Sequence, residues 1–416
     1  MSDEPFILPR EQHELSRQLI DENSLKVLYR LRQHGYTAYL VGGGVRDLLL
    51  GRHPKDFDVG TNATPDQVRK LFRNCRLVGR RFRLAHILFG RDERVEVATF
   101  RRKPEADECP QDDPFFSENV FGTPQQDAFR RDFTINALFY NIEDFSIIDY
   151  VGGLDDLRAG RIRVIGDADE RFAEDPVRML RALEFSARLG FEMDETIAPA
   201  IVRNAERLMA VPPARIREEL MELFRHKVAG KVLQRAEKVG LLPWLLPEFT
   251  SQRESFNFLR QLDLRTAAGT PIEEHVALAA LYLVPFREAC EGCPDDLNVA
   301  EVHKLANRYL VGHCQRFGMA AGLRHLAREL FVAFFRFQRG RGRRGEQRFL
   351  RHPFTVQSFD FYRLWCEASG QPAELWQCWE AAVKGEEPEG SGGLKRPKRR
   401  RRPRRRPPRP KPAPAS

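Results

Sequence analysis

Between Leu40 and Thr64 the sequence LVGGGVRDLLLGRHPKDFDVGTNAT gathers three consecutive glycines, Gly42, Gly43 and Gly44, and two alternate carboxylates, Asp56 and Asp58. Side chains two apart on a strand leave the same face, so Asp56 and Asp58 are expected side by side, with Phe57 turned to the core. Adjacent carboxylates repel unless a cation lies between them. Mg²⁺ commonly binds through one or two carboxylates plus substrate phosphates, so the pair points to a phosphoryl-transfer metal site. A glycine turn that opens a helix offers N–H groups and a positive dipole end to a triphosphate. Each piece alone is weak, since D-x-D occurs on many surface loops and the glycines suit any tight turn. They also lack the G-x-G-x-x-G spacing of dinucleotide binding. Glycine turn, short helix and D-x-D in sequence form a far more specific combination.

The elements that must hold these residues can be read from the apolar pattern. Tyr39 to Val41 reads as a strand entering the glycines, Val45 to Leu50 as a short helix leaving them, and Asp56 to Val59 as a second strand. Thr64 and Pro65 have the order of an N-cap and first helical position for a helix to Phe72; Ala85 to Phe89 and Arg94 to Phe100 read as further strands. Residues Arg102 to Glu118, rich in Pro, Asp and Glu, read as a mobile loop. Beyond Gly153 the texture turns helical, with segments at Asp175 to Leu189, Pro213 to Phe224 and Gly230 to Val239, and a further helical, basic region from about Glu301.

The chain's 416 residues suffice for two or three domains, and 42% hydrophobic with 31% charged residues suits a soluble protein. No apolar run approaches the roughly 18 residues of a membrane span, and Met1 to Asp21 is too charged for a secretory signal, so a cytoplasmic location is expected. Seven scattered cysteines exclude a dense disulfide scaffold, and the lone C-x-x-C of Cys290 and Cys293 lacks the second pair of a zinc site. The net charge of +9 is local: Lys395 to Ser416 hold twelve Lys or Arg and no acid, and the remaining 56 basic and 59 acidic residues leave −3. Gly385 to Gly393 is a linker by composition, and the tail after it is too charged and proline-rich to bury a core. Such a tail suits RNA phosphates, with anionic membrane as the lesser alternative.

Leu40-VGGGVRDLLLGR and Lys55-DFDV resemble the nucleotidyltransferase signature of the DNA polymerase β superfamily, in the branch holding bacterial poly(A) polymerases and CCA-adding enzymes. Arg130-RDFTINALFYN, Asp149-YVGGLDDL and Glu174-DPVRMLRALEF match later motifs of that branch in the right order, so the resemblance covers about residues 40 to 225. It implies an α+β fold: a mixed α/β nucleotidyltransferase head, a mainly helical body and a disordered basic tail. The expected divisions are 1–39 as a helical lead-in, 40–152 as the catalytic head, and 153–230 as a nucleotide- and RNA-binding neck. A helical body with an arginine-rich domain, 231–384, and a linker and tail, 385–416, complete them.

The resemblance further implies that Asp56 and Asp58 hold catalytic Mg²⁺, with a third carboxylate from Asp132 or, as its rival, Glu96. The bland reading of Asp132 is a helix cap or an ion pair with Arg130 or Arg131. Gly42, Gly43 and Arg46 are expected at the nucleotide. Glu174, Asp175 and Arg178 match the E-D-x-x-R motif that reads the base, where Asp accepts from an exocyclic amine and Arg donates. Asp175 followed by Pro176 also reads as a helix cap, and Arg181 falls near the same helix face. Glu184 departs from the pattern, standing where a basic residue is common, so no phosphate contact carries over to it.

Two segments favour the poly(A) polymerase branch over the CCA-adding one. Leu77-VGRRFRLAHILFG resembles that branch where CCA-adding enzymes carry a shorter sequence, and Arg336 to Leu364 resembles its arginine-rich domain. The expected activity is addition of AMP from ATP to RNA 3′ ends, with RNA-decay proteins as partners. A tRNA CCA-adding enzyme is the alternative, and a non-catalytic RNA-binding protein the more distant one.

Overall fold

The computed structural model describes residues 4–79, 83–90, 93–104, 120–292 and 297–386. Most of the expected loop after Arg102, nearly all of the linker, the basic tail, Cys293 and residues 80–82 of the segment after Leu77 lie outside these.

Eight strands build one mixed sheet: β1 (Phe6–Leu8), β2 (Ala38–Val41), β3 (Asp58–Thr61), β4 (Cys75–Val78), β5 (Leu84–Phe89), β6 (Glu93–Thr99), β7 (Leu138–Asn141) and β8 (Ile147–Asp149). Their order is β1-β8-β7-β2-β3-β6-β5-β4. β3 runs parallel to β6, and the other neighbours are antiparallel. Alternation sorts the side chains: Ala38, Leu40, Val59, Val95 and Val97 enter the main core, while Val41, Phe100 and Phe139 join Ala128 in a smaller cluster on the other face.

Several boundaries move from those expected. The second strand begins at Asp58, leaving Asp56 just ahead of it. The lead-in is helical over Glu22–Gln33, but it also supplies β1, which pairs with β8 at the sheet edge. The helix expected over Asp175 to Leu189 starts two residues later, as Val177–Leu189, and a separate helix, Ala168–Glu174, ends just before Asp175, which takes an extended conformation (φ −147°, ψ 93°) ahead of Pro176. Clash with the proline ring disfavours the helical conformation at that position. The cap of the next helix thus falls formally on Pro176, while the Val177 N–H still donates to Asp175 Oδ1 at 3.3 Å. Thr64 behaves as expected, forming a reciprocal capping box with Gln67 over helix Pro65–Leu71.

Beyond the sheet the described residues form mainly helices, with a two-residue parallel pairing of Arg161–Ile162 with Glu192–Met193. Helices Arg253–Ala267, Glu274–Glu291, Ala321–Gln338 and Thr355–Ser369 pack around aromatic rings, among them Phe258, Phe334, Phe337, Tyr362 and Trp365. No described helix is long and apolar enough to cross a membrane.

Candidate active site

The β3–β6 register sets Asp58 opposite Glu96, and the β5–β6 register sets His86 opposite Glu96. Three polar side chains therefore line one face, while Val59 and Val97 anchor the same strands from behind. Water reaches Asp58, yet the surrounding protein removes enough hydration that burial, then the Glu96 charge, pushes its carboxyl up to about 6; Arg131 opposes this and Asp56 adds to it. A carboxyl so crowded by its own kind favours a hard cation with oxygen ligands. As placed, Glu96 Oε1 lies 3.4 Å from both His86 Nε2 and Arg94 Nε. Among the described residues no three acid, His or Cys side chains already stand close enough to ligate a metal.

The glycines flank this face. Gly42 has φ +74° and ψ −135°, a backbone conformation that side chains resist, and caps helix Gly43–Leu49. Its own N–H donates to the Leu138 carbonyl at 3.1 Å, so the N–H groups of the first helical turn begin at Gly43. Gly44 packs beneath the carboxylate segment: a Cβ there would sit 3.4 Å from the Phe57 ring and 3.6 Å from the Asp56 carbonyl oxygen. Arg46, expected at the nucleotide, turns inward instead. Only 3% exposed, it donates to Asp47 and Asn136 and lies over the Phe185 ring at 5.2 Å. The guanidinium at the turn is that of Arg131, with Nη1 3.0 Å from where a Gly42 Cβ would stand. Its Nε and Nη2 donate to Asp127 Oδ2 at 3.2 and 2.9 Å.

Asp132 is in a different situation from Asp58. Its Oδ2 accepts from Arg181 Nε at 2.9 Å, and its Oδ1 accepts from the Phe133 N–H at 2.8 Å and Asn136 Nδ2 at 3.2 Å. Burial alone would push this carboxyl up, but the Arg181 charge and these bonds outweigh it and hold the group below the usual carboxylate range. The partner is Arg181, neither Arg130 nor Arg131. Arg181 is thereby drawn away from Asp175 and Arg178.

Glu174, Asp175 and Arg178 do come together, lining a cleft of about 950 Å³ with Lys103, Arg130 and Arg215. Arg178 Nη1 donates to Glu174 Oε2 and to the Arg171 carbonyl, each at 3.0 Å. Asp175 Oδ2 accepts from Arg215 Nη2 at 2.6 Å. Arg171, buried, donates to Glu174 at 2.6 Å and to the carbonyls of Arg130 and Arg131 at 2.6 and 2.5 Å, tying the cleft to the segment that carries Asp132. Arg171, Arg215 and Arg131 escape sequence reasoning because their partners lie elsewhere in the chain; only adjacency to a motif marks Arg131 and Arg171. Glu184 is folded inside against Arg188 Nε (2.5 Å) and His226 Nδ1 (2.9 Å), which explains an acid where a phosphate contact would want a base. A second groove, of about 800 Å³, lies between helix Glu22–Gln33 and Ile87–Phe89, toward the face opposite Asp58 and Glu96.

The arginine-rich segment is partly structural. Arg336 lies over Phe349, Arg339 donates to the Leu297 carbonyl at 2.9 Å, and Arg341 pairs with Glu346 at 2.8 Å. Arg343, Arg344, Arg348 and Arg351 are exposed.

Residues 38–163 match the model of the poly A polymerase head domain, 190–253 that of the probable RNA and SrmB-binding site of polymerase A, and 298–411 that of the polymerase A arginine-rich C-terminus. Poly(A) polymerase I of Salmonella typhi is 41% identical over 95% of this chain and 90% of its own length; that of Haemophilus influenzae is 38% identical over 90% and 87%. A CCA-adding enzyme of Bacillus licheniformis is 37% identical, but over only 52% of this chain and 54% of its own. Among solved structures, a CCA-adding enzyme with CTP superposes with a TM-score of 0.63 at 20% identity, covering 94% of this chain and 89% of its own. A tRNA nucleotidyltransferase with a primer tRNA and an incoming ATP analogue gives 0.60 at 23%, covering 86% and 98%. These two likenesses concern the fold, whereas the sequence relationship spans nearly the whole chain: this protein belongs to the bacterial poly(A) polymerase I family.

Proposed function

We propose that the protein extends RNA 3′ ends with AMP taken from ATP, without a template, releasing pyrophosphate. The observation that carries this reading is the pairing of Asp58 with Glu96 across two parallel strands, next to the glycine turn. Their crowded negative charge fits a divalent cation, Mg²⁺ in this reading, held by Asp58 and Glu96 with Asp56. Such a cation, when bound, activates the RNA 3′-hydroxyl and neutralises the departing pyrophosphate. The chain's own residues do the positioning. N–H groups from Gly43 onward, with Arg131 beside them, receive the triphosphate. Asp132, through its ion pair, fixes Arg181 and the 132–136 segment and is a positioning residue. In the cleft, Arg178 offers its remaining donors and Asp175 its remaining lone pairs to the base edge. Positioning carries most of the work in this chemistry, as in other phosphoryl transfers.

Residues 40–152 would form the catalytic head, completed at its edge by β1. Residues 153–230 would form the neck, 231–384 the body and 385–416 a basic appendage. Exposed Arg343, Arg344, Arg348 and Arg351, with the tail, would hold RNA phosphates of any sequence. Cytoplasmic location and partners among RNA-decay proteins fit the same role.

The test offers purified protein a generic RNA and a tRNA lacking its CCA end, each with ATP, CTP or both. Long ladders on generic RNA with ATP alone are expected; addition confined to the tRNA, needing CTP and stopping after three nucleotides, would overturn the reading. Calorimetric titration of Mg²⁺ should give binding that Asp58→Asn loses, a readout independent of turnover.

A further inference from the structure

One aromatic ring gathers three cations. The guanidinium carbons of Arg46, Arg181 and Arg188 each stand 5.2 Å from the centre of the Phe185 ring, and Phe133 meets it edge-on with ring centres 5.4 Å apart. Phe185 itself is buried. Like charges crowd together only where something offsets them. Each guanidinium here brings its own carboxylate: Asp47 at 2.8 Å for Arg46, Asp132 at 2.9 Å for Arg181 and Glu184 at 2.5 Å for Arg188. The negative faces of the ring add to the attraction.

The cations come from two elements. Arg181, Phe185 and Arg188 follow one another at spacings of four and three on helix Val177–Leu189, so they share one face. Arg46 comes from helix Gly43–Leu49 in the head. Further contacts stitch the two elements beside the ring. Asn136 accepts from Arg46 and donates to Asp132 at 3.2 Å, Asp47 lies 4.0 Å from Arg188, and Arg52 donates to the Arg188 and Leu189 carbonyls, each at 3.4 Å. A polar circuit therefore leaves Arg46 by two routes, through Asn136 and Asp132 to Arg181 and through Asp47 to Arg188.

Each element leads from the ring to a different part of the candidate site. Arg46 packs directly behind the glycine turn, its Nη2 3.4 Å from where a Gly43 Cβ would stand. Along the other helix, Phe185 stands about two turns, roughly 10 Å, from Arg178, which lines the base-reading cleft. The seats of the nucleotide's phosphates and of its base are thus each a short rigid lever from the same ring. We propose that Phe185 is a positioning residue that fixes the span between these two seats, so that a single ATP fills both at once. The proposal rests on the nucleotidyltransfer reading above and adds what sets the length of the nucleotide site.

A group that only sets a span leaves each end intact and removes the advantage of joining them. The experiment compares the wild type with Phe185→Leu, which stays apolar but loses the ring, and with Phe185→trifluorophenylalanine, which keeps the ring's shape and weakens the negative charge of its faces. Competition titrations in the presence of Mg²⁺ read the affinities of ATP, tripolyphosphate and adenosine without turnover. The wild type should hold ATP more tightly than either fragment. In both variants ATP affinity should fall about tenfold, while tripolyphosphate and adenosine stay within about twofold. Unchanged ATP affinity would overturn the proposal and leave Phe185 as core packing. A fall shared by tripolyphosphate or by adenosine would overturn it too, moving the effect to the glycine turn or to the cleft alone. Failure of the nucleotidyltransfer reading shows separately, in the wild type, as ATP held no better than tripolyphosphate; circular dichroism and melting temperatures check that the variants fold.

Discussion

The two halves of the site treat charge in opposite ways. On the sheet, Asp58 faces Glu96 and Asp56 with Arg131 as its nearby cation, and its carboxyl is pushed up to about 6. In the helical cleft each motif side chain is held by another: Glu174 by Lys103, Arg171 and Arg178, and Asp175 by Arg215. A surface left short of positive charge is made for a ligand that brings it. A cleft whose motif side chains are already held by partners, in a lining with more cations than acids, presents a fixed hydrogen-bonding pattern, which suits reading a base. Partly exposed ion pairs contribute little net stability but hold groups in place, so the cleft gains definition more than it gains free energy.

The largest way to break this contrast is to remove the charge-deficient side. Asp58→Ala should lower the transfer rate by at least ~10³-fold, about 4 kcal/mol of activation free energy, with RNA affinity within about twofold of wild type. Filter binding beside primer extension checks it, and normal turnover would sink the assignment. Next, Glu96→Gln and Asp132→Asn should part company. The first should cost roughly 10²-fold in rate with an unchanged melting temperature, since Glu96 is partly exposed. The second should cost stability, about 1 kcal/mol, because Arg181, partly exposed and still near Glu219, loses its closest carboxylate. Equal melting temperatures for the two variants would contradict this separation.

Asp263 sharpens the comparison from the body, where a carboxylate meets neither a cation site nor an arginine partner. It accepts from the N–H groups of Ala229 and Gly230, at 3.0 and 2.9 Å, yet burial pushes it up to about 6 from the ordinary 3.8. Its folded form holds the proton more tightly than its unfolded form. The stability it contributes is therefore full below pH 3.8 and declines as the pH rises to about 6, by about 3 kcal/mol. Asp263→Asn should flatten that part of the stability profile in urea melts at pH 4 to 7. The smallest effect is expected for Arg215→Ala, which frees Asp175 without removing it: roughly a tenfold rise in the ATP KM and poorer rejection of CTP, measured by single-nucleotide addition.

Local signals in the sequence were legible where the structure uses local rules. Thr64 and Pro65 announce a capping box, and the alternation of Tyr39 to Val41 announces a strand because its two faces enter different clusters. Leu138 to Tyr140 is buried on both faces, so its unbroken apolar run carries no period and β7 passed unread. In the candidate site, Asp56 and Asp58 stand out by spacing, and Glu174, Asp175 and Arg178 by their match to the E-D-x-x-R motif. That Glu96 stands opposite Asp58 shows only in the β3–β6 register, and Arg215 only in its pairing with Asp175 across 40 residues. Long-range partners leave no mark on local spacing.

The parallel register has a consequence for how the protein comes to life. Parallel strands need a long connection, here residues 62–92 through one helix and two intervening strands, and contacts so far apart form late in folding. A one-residue slip between β3 and β6 would send Glu96 to the opposite face. On the proposed site, catalytic competence therefore arises only when this non-local pairing is complete and in register, so a nascent or misregistered chain, however adhesive to RNA, has no means of marking a transcript.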